Sequence, residues 1–195
     1  MQRVQYLVLL IFISSCGPVL SGLPLTENLQ QKPEEMVICA GIGEAYRFND
    51  NQWQRMPSYD YEFNFVQKRY PDRWETIKEL HRRHPDYDGR AGARDQTLYF
   101  AVKKRDAGEE LALEVESSWG RGQGRADKSM SHMRLKFAPE TSFFTPFNRY
   151  RITQQFRYEE GKVLETVELF RQEEAREVPF MMMKEEAGIF LPMKK

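Results

Sequence analysis

Cysteine is nearly missing from this 195-residue chain: there are two, Cys16 and Cys39. A disulfide framework is therefore excluded as the basis of the fold. Histidine is almost as scarce, at three, and neither an HExxH nor a GxSxG pattern occurs. The usual zinc-protease helix and the strained serine elbow are thus absent. No charge of one sign dominates, because 29 Lys and Arg balance 29 Asp and Glu. A global electrostatic pull toward nucleic acid or anionic lipid is excluded, and any such role needs a local patch. No apolar run approaches the ~20 residues of a transmembrane helix. No internal repeat or long low-complexity tract interrupts the chain.

Aromatic residues are plentiful: thirteen Phe, nine Tyr and three Trp. They favour pleated surfaces. Period-two alternation recurs accordingly. Tyr59, Tyr61, Phe63 and Phe65 share one face, opposite Asp60, Glu62 and Asn64. Leu98, Phe100 and Val102 alternate before a turn at Asp106-Ala107-Gly108, and Leu111, Leu113 and Val115 alternate after it. Met133, Leu135 and Phe137 follow the same rule, as do Tyr150, Ile152, Phe156 and Tyr158. Beyond Glu160-Gly161 come Val163, Val167 and Leu169, and a last strand is expected from Val178 to Met183. Such segments are strands with one wet face, and their short connections imply antiparallel hairpins.

One segment reads as a helix. Pro71 suits a first helical position, Trp74, Ile77, Leu80, His81 and His84 fall at three-and-four spacing, and Pro85 is a stop. The expected fold is α+β and mainly β: an antiparallel meander forming a curved sheet or small barrel with one packed helix. The expected organisation is a signal peptide over 1–15, a lipidated Cys and tether over 16–35, and a single domain over 36–195. Cys39 lies in the apolar run Met36-Val37-Ile38-Cys39-Ala40 and reads as a buried, inert thiol.

The first sixteen residues carry an address. Arg3 gives a short cationic start, and Leu7-Val8-Leu9-Leu10-Ile11-Phe12-Ile13 forms a secretory-type apolar core. Ile13-Ser14-Ser15-Cys16 then resembles the lipobox of bacterial lipoproteins: an aliphatic residue, two small residues and Cys. Ile13 stands where Leu is commonest and Ser15 where Gly or Ala is commonest. The resemblance implies diacylglycerol on the Cys16 thiol, cleavage before it and acylation of the new N-terminus. Gly17, where Asp would imply inner-membrane retention, implies sorting to the outer membrane in enteric bacteria. The same residues also read as an ordinary secretory signal cut after Ser21, which would leave a soluble product.

The densest polar segment runs from His81 to Asp95. On a helix, His81 and His84 could reach one metal ion, with Asp86 or Asp88 adding a carboxylate. The commoner reading of the same residues is a cationic helix end followed by an Asp/Gly turn. Arg90 and Arg94 suit bidentate anion recognition, or local pairing with Asp86, Asp88 and Asp95. Trp119-Gly120-Arg121-Gly122-Gln123-Gly124-Arg125 reads as a flexible basic loop between strands, in which Arg121 and Arg125 could meet a ligand or lipid headgroups. Its GxGxG spacing lacks the strand-to-helix context of a dinucleotide site. Glu165 and Gln154 fall in phase with apolar neighbours, as inward polar groups or as edge positions. Phe143, Phe144, Phe147 and Phe180-Met181-Met182-Met183 read as packing or as an adaptable apolar surface.

Two functions follow. The first is a membrane-anchored, non-enzymatic envelope lipoprotein that binds an apolar ligand or a protein partner, with no cofactor beyond the covalent lipid and no nucleic acid. The second is a metal-dependent hydrolase centred on His81, His84, Asp86 and Asp88.

Overall fold

In a computed structural model, residues 32–137, 148–173 and 176–190 are described. Cys16, Phe143, Phe144 and Phe147 lie outside them. The chain forms β1 (Glu35–Asn49), β2 (Gln52–Arg55), β3 (Tyr61–Arg69), β4 (Arg73–His81), β5 (Asp95–Ala107) and β6 (Glu110–Ser117). It continues through β7 (Gly120–Asp127), β8 (His132–Phe137), β9 (Arg149–Arg157), β10 (Lys162–Glu173) and β11 (Arg176–Phe190). Every neighbouring pair is antiparallel, in the order β2-β1-β3-β4-β5-β6-β7-β8-β9-β10-β11. Pairing of β1 with β11, from Ile38↔Phe190 to Arg47↔Met181, closes the sheet. Ten strands therefore form a barrel. β2 continues the β3 side of the long β1, pairing with it only over Tyr46–Asn49. Closure removes the edges that an open meander would expose.

The alternation explains the core. Tyr61, Phe63, Phe65, Leu98, Phe100, Val102, Leu113, Val115, Leu135, Phe137, Ile152, Val163, Val167 and Leu169 all point inward and are buried. The turns expected at Gly108 and Gly161 are present, each Gly in the left-handed region (φ 84° and 63°), where a side chain would be strained. β11 continues past Met183 to Phe190, seven residues beyond the strand expected from sequence.

The packed helix expected between Pro71 and Pro85 is absent. Among the described residues the only helical pieces are two 3-10 turns, Pro57–Tyr59 and Tyr158–Glu160. The segment is β4, bonded to β3 on one side and β5 on the other. Its burial alternates: Trp74, Lys78, Leu80 and Arg82 point in, while Ile77 is 48% exposed. The helical spacing had joined two inward residues, Trp74 and Leu80, to two outward ones, Ile77 and His81. Inward cations at 78 and 82 broke the apolar alternation that would have marked a strand, and sheet pairing decided the outcome over local pattern.

The glycine-rich segment after Trp119 is likewise not a loop. It is β7, with Gly122 opposite Phe137 and Gly124 opposite Leu135. A Cβ on Gly124 would lie 2.1 Å from the Arg134 carbonyl oxygen, and one on Gly122 would lie 2.5 Å from that of Lys136. The glycines are there because β8 passes too close for side chains.

Candidate functional sites inside and outside the barrel

The residues singled out between His81 and Asp95 do not converge. With the helix gone, the premise that placed His81 and His84 over one ion goes with it. His81 Nδ1 lies 2.8 Å from Asp95 Oδ1, while His84 Nδ1 accepts the Asp86 backbone N–H at 3.2 Å. Asp88 accepts from the Tyr59 hydroxyl and pairs with Arg90 at 3.2 Å. Among the described residues no three His, Cys, Asp or Glu side chains gather in a way that could hold a metal ion. Arg94 spends its fork on backbone, donating to the carbonyls of His84 (2.7 Å), Pro85 (3.0 Å) and Tyr87 (3.2 Å). It organises a loop that packs Tyr87 edge-on against Tyr59 at 5.2 Å. Arg125 pairs with Glu110 at 2.9 Å, and Arg121 approaches Glu116 at 4.0 Å.

Inside the barrel lies a cluster that the sequence only half disclosed. Lys78 of β4 donates to Glu165 of β10 at 2.8 Å and to Glu185 of β11. The Tyr61 hydroxyl of β3 donates to the other oxygen of Glu185, and the Gln154 amide of β9 donates to Glu165. The Lys78 ammonium also sits 4.6 Å from the centre of the Phe63 ring. These side chains come from five strands, and register fixes them: Gln154 faces Glu165, and Glu165 faces Glu185. Glu165 and Gln154 were flagged by their phase. Lys78 was hidden by the helical reading and Glu185 by the early end assigned to β11. The signal that could have found Glu185 is Met181, Met183, Glu185 and Ala187 continuing one alternation.

One cation faces two carboxylates here, so the electrostatics are asymmetric. Burial, then repulsion by Glu165, outweighs the attraction of Lys78 and pushes the Glu185 carboxyl up to about 7. Burial alone would lower Lys78, but the two carboxylates outweigh it and hold the ammonium above its usual value. Burial and the adjacent Glu185 raise the Tyr61 hydroxyl well above the usual phenol range. Beside the cluster is a cavity of about 30 Å³, lined on its polar side by Gln67, Thr76, Lys78, Gln154 and Glu165. That is room for roughly two waters. Among the described residues, Gln154 Oε1 is buried there with no hydrogen-bond partner. Cys39, fully buried, has its thiol pushed up by burial to about 12 and is inert at neutral pH.

Outside, the register aligns an apolar row. Phe190 of β11 is opposite Ile38 of β1, Ile38 is opposite Val66 of β3, Val66 is opposite Ile77 of β4, and Ile77 is opposite Tyr99 of β5. Phe190 is 59% exposed, Ile77 48% and Ile38 41%, with Met36 and Ile42 also exposed on the outer face of β1. The exposed Lys68 of β3 and Glu79 of β4 border the row, two positions from Val66 and Ile77, and neither has an ion-pair partner among the described residues.

Comparison of the chain with family models, with curated proteins and with solved structures returned no match.

Proposed function

We propose that this chain is an envelope lipoprotein, anchored through Cys16, whose barrel is a non-enzymatic module that docks a protein partner. The observation that carries the reading is the outer row Phe190–Ile38–Val66–Ile77–Tyr99. Five apolar side chains in register on a water-facing wall cost solubility and add nothing to a core that is already closed. Exposed apolar patches of this kind mark interaction sites. The partner is a protein with an apolar strip bordered by charges of both signs, because Lys68 and Glu79 border the row without ion-pair partners among the described residues. A border of one cation and one carboxylate gives an anionic bilayer no net attraction. An apolar ligand beside the inner cluster is disfavoured, since a cavity of about 30 Å³ cannot take an acyl chain.

The test uses the full chain in its own membranes. Labelled palmitate is expected on the wild type and not on Cys16→Ala. A photo-crosslinking residue at position 77 is expected to give one discrete protein adduct that Ile38→Glu abolishes, while the same probe at position 125 gives none. Adducts at 77 that survive Ile38→Glu, or adducts to lipid alone, would end the docking reading.

A further inference from the structure

The wall opposite the apolar row is cationic, and its charges are placed against the interest of the fold. In the ten-strand closure, β8 and β9 lie five strands round from β3 and β4. Alternation turns Gly122, Leu135, Phe137, Tyr150 and Ile152 inward, so the outward residues of β7, β8 and β9 include Arg121, Arg125, Arg134, Lys136, Arg149 and Arg151. Two like-charged pairs sit directly across strands: Arg125 faces Arg134, and Lys136 faces Arg151. Such pairs destabilise a sheet. Glu110 relieves Arg125, and Glu168 and Glu177 relieve Arg151 at 3.4 and 3.2 Å. Arg134 and Lys136 have no carboxylate within ion-pair distance among the described residues.

A recess of about 410 Å³ opens beside Lys136. Four cations, Arg121, Lys136, Arg149 and Arg151, border it, against one carboxylate, Glu177. Its apolar side is Phe170, with Phe137 and Tyr150 behind; the Arg151 guanidinium lies 4.7 Å from the centre of the Phe170 ring. The volume lies in the range of small-molecule sites. Arg forks match the geometry of phosphate oxygens, and Lys adds a point charge.

We propose that this recess binds a phosphate-bearing ligand, with Lys136 and Arg151 holding the anion and Phe170 contacting the carbon skeleton that bears it. The site is independent of the docking row. Phosphate chemistry is shared by a phospholipid headgroup and a free phosphorylated molecule, and the assay separates the two. The full chain is purified in an uncharged detergent and titrated calorimetrically with dihexanoyl phosphatidylglycerol and, separately, with inorganic phosphate. Saturable binding of at least one probe is expected, weakening with salt. Lys136→Gln with Arg151→Gln is expected to reduce the affinity at least tenfold. Arg105→Gln, which removes an exposed cation from β5 outside the recess, is expected to leave it within twofold. Binding of the lipid probe alone assigns the site to a headgroup, and binding of phosphate as well assigns it to a free ligand; both support the proposal. Absence of binding by either probe, or binding that the double substitution leaves unchanged, overturns it. Circular dichroism of the double variant, expected to match the wild type, guards against an unfolded control.

Discussion

The two walls of the barrel are inside-out relatives of one another. On β11, β1, β3 and β4 the outer face presents Phe190, Ile38, Val66 and Ile77, while the inner face carries Lys78 and Glu185, with Arg82 buried just past β4. On β7, β8 and β9 the outer face presents Arg121, Arg134, Lys136 and Arg151, while the inner face is Leu135, Phe137, Tyr150 and Ile152. Net charge of zero thus conceals a polarised molecule. The first wall spends burial on ions and exposes apolar area; the second lines its interior with apolar side chains apart from Gln154 and gathers cations outside. Neither arrangement is what stability alone selects, since buried ion clusters are often no better than apolar packing and like-charged cross-strand pairs are worse than neutral ones.

The largest expected effect breaks the first wall. Lys78→Met leaves Glu165 and Glu185 buried without their cation, and the unfolding free energy in urea should drop by about 3–5 kcal/mol. Adding Glu185→Gln should recover much of that loss, because it removes one uncompensated charge. If Lys78→Met is as stable as the wild type, the inner cluster is not holding the strands together.

pH probes the same wall more gently. Glu185 releases its proton near 7 in the fold and near 4.5 when unfolded. Between those values the unfolded chain binds fewer protons, so the contribution is full below 4.5 and is lost as pH rises through 7. The loss should reach about 3 kcal/mol at most. Urea midpoints measured from pH 4.5 to 8 should fall in the wild type and stay flatter in Glu185→Gln. The second wall answers with the opposite sign. Burial would raise Asp127 at the end of β7, but hydrogen bonds from Ser129, Ser131 and His132 hold its carboxyl below the usual range. Its contribution is lost only as pH falls below about 4.

Gly124→Ala tests the close packing of the second wall. The new Cβ would meet the Arg134 carbonyl oxygen at 2.1 Å, which is backbone and cannot swing aside. A loss of about 1–3 kcal/mol is expected in thermal or urea unfolding. Alanine at position 108, where nothing lies within 4 Å, meets strain from φ alone.

What was legible in the sequence follows the same division. β6, β8 and β9 read correctly because Leu, Met, Phe and Ile sit inward in alternation, as in Met133, Leu135 and Phe137. The first wall defeated the pattern where buried polar groups turned inward. Lys78 on β4 and Arg82 just past it made a strand look like a helix, and Glu185 made β11 look finished at Met183. The glycines of β7 resembled a loop because their reason, the close approach of β8, is a tertiary fact that no local pattern records. The alternation left a curved sheet and a small barrel both open, since the closing pairing of β1 with β11 joins residues some 150 positions apart.

The smallest effect is also the one that best separates the two walls. Lys136→Gln removes one member of a like-charged cross-strand pair without opening the core, because Lys136 is outward and exposed. Stability should rise, by about 0.2–1 kcal/mol, in the wild-type background. If the pair were incidental, losing it would matter for nothing else. If it is kept for an anion, the same substitution that steadies the sheet weakens binding of phosphate or of the phosphatidylglycerol probe. A stabilised variant that binds less tightly is the signature of charges held in place against the fold, whereas a variant that loses stability and binding together would place Lys136 among the residues that merely build the wall.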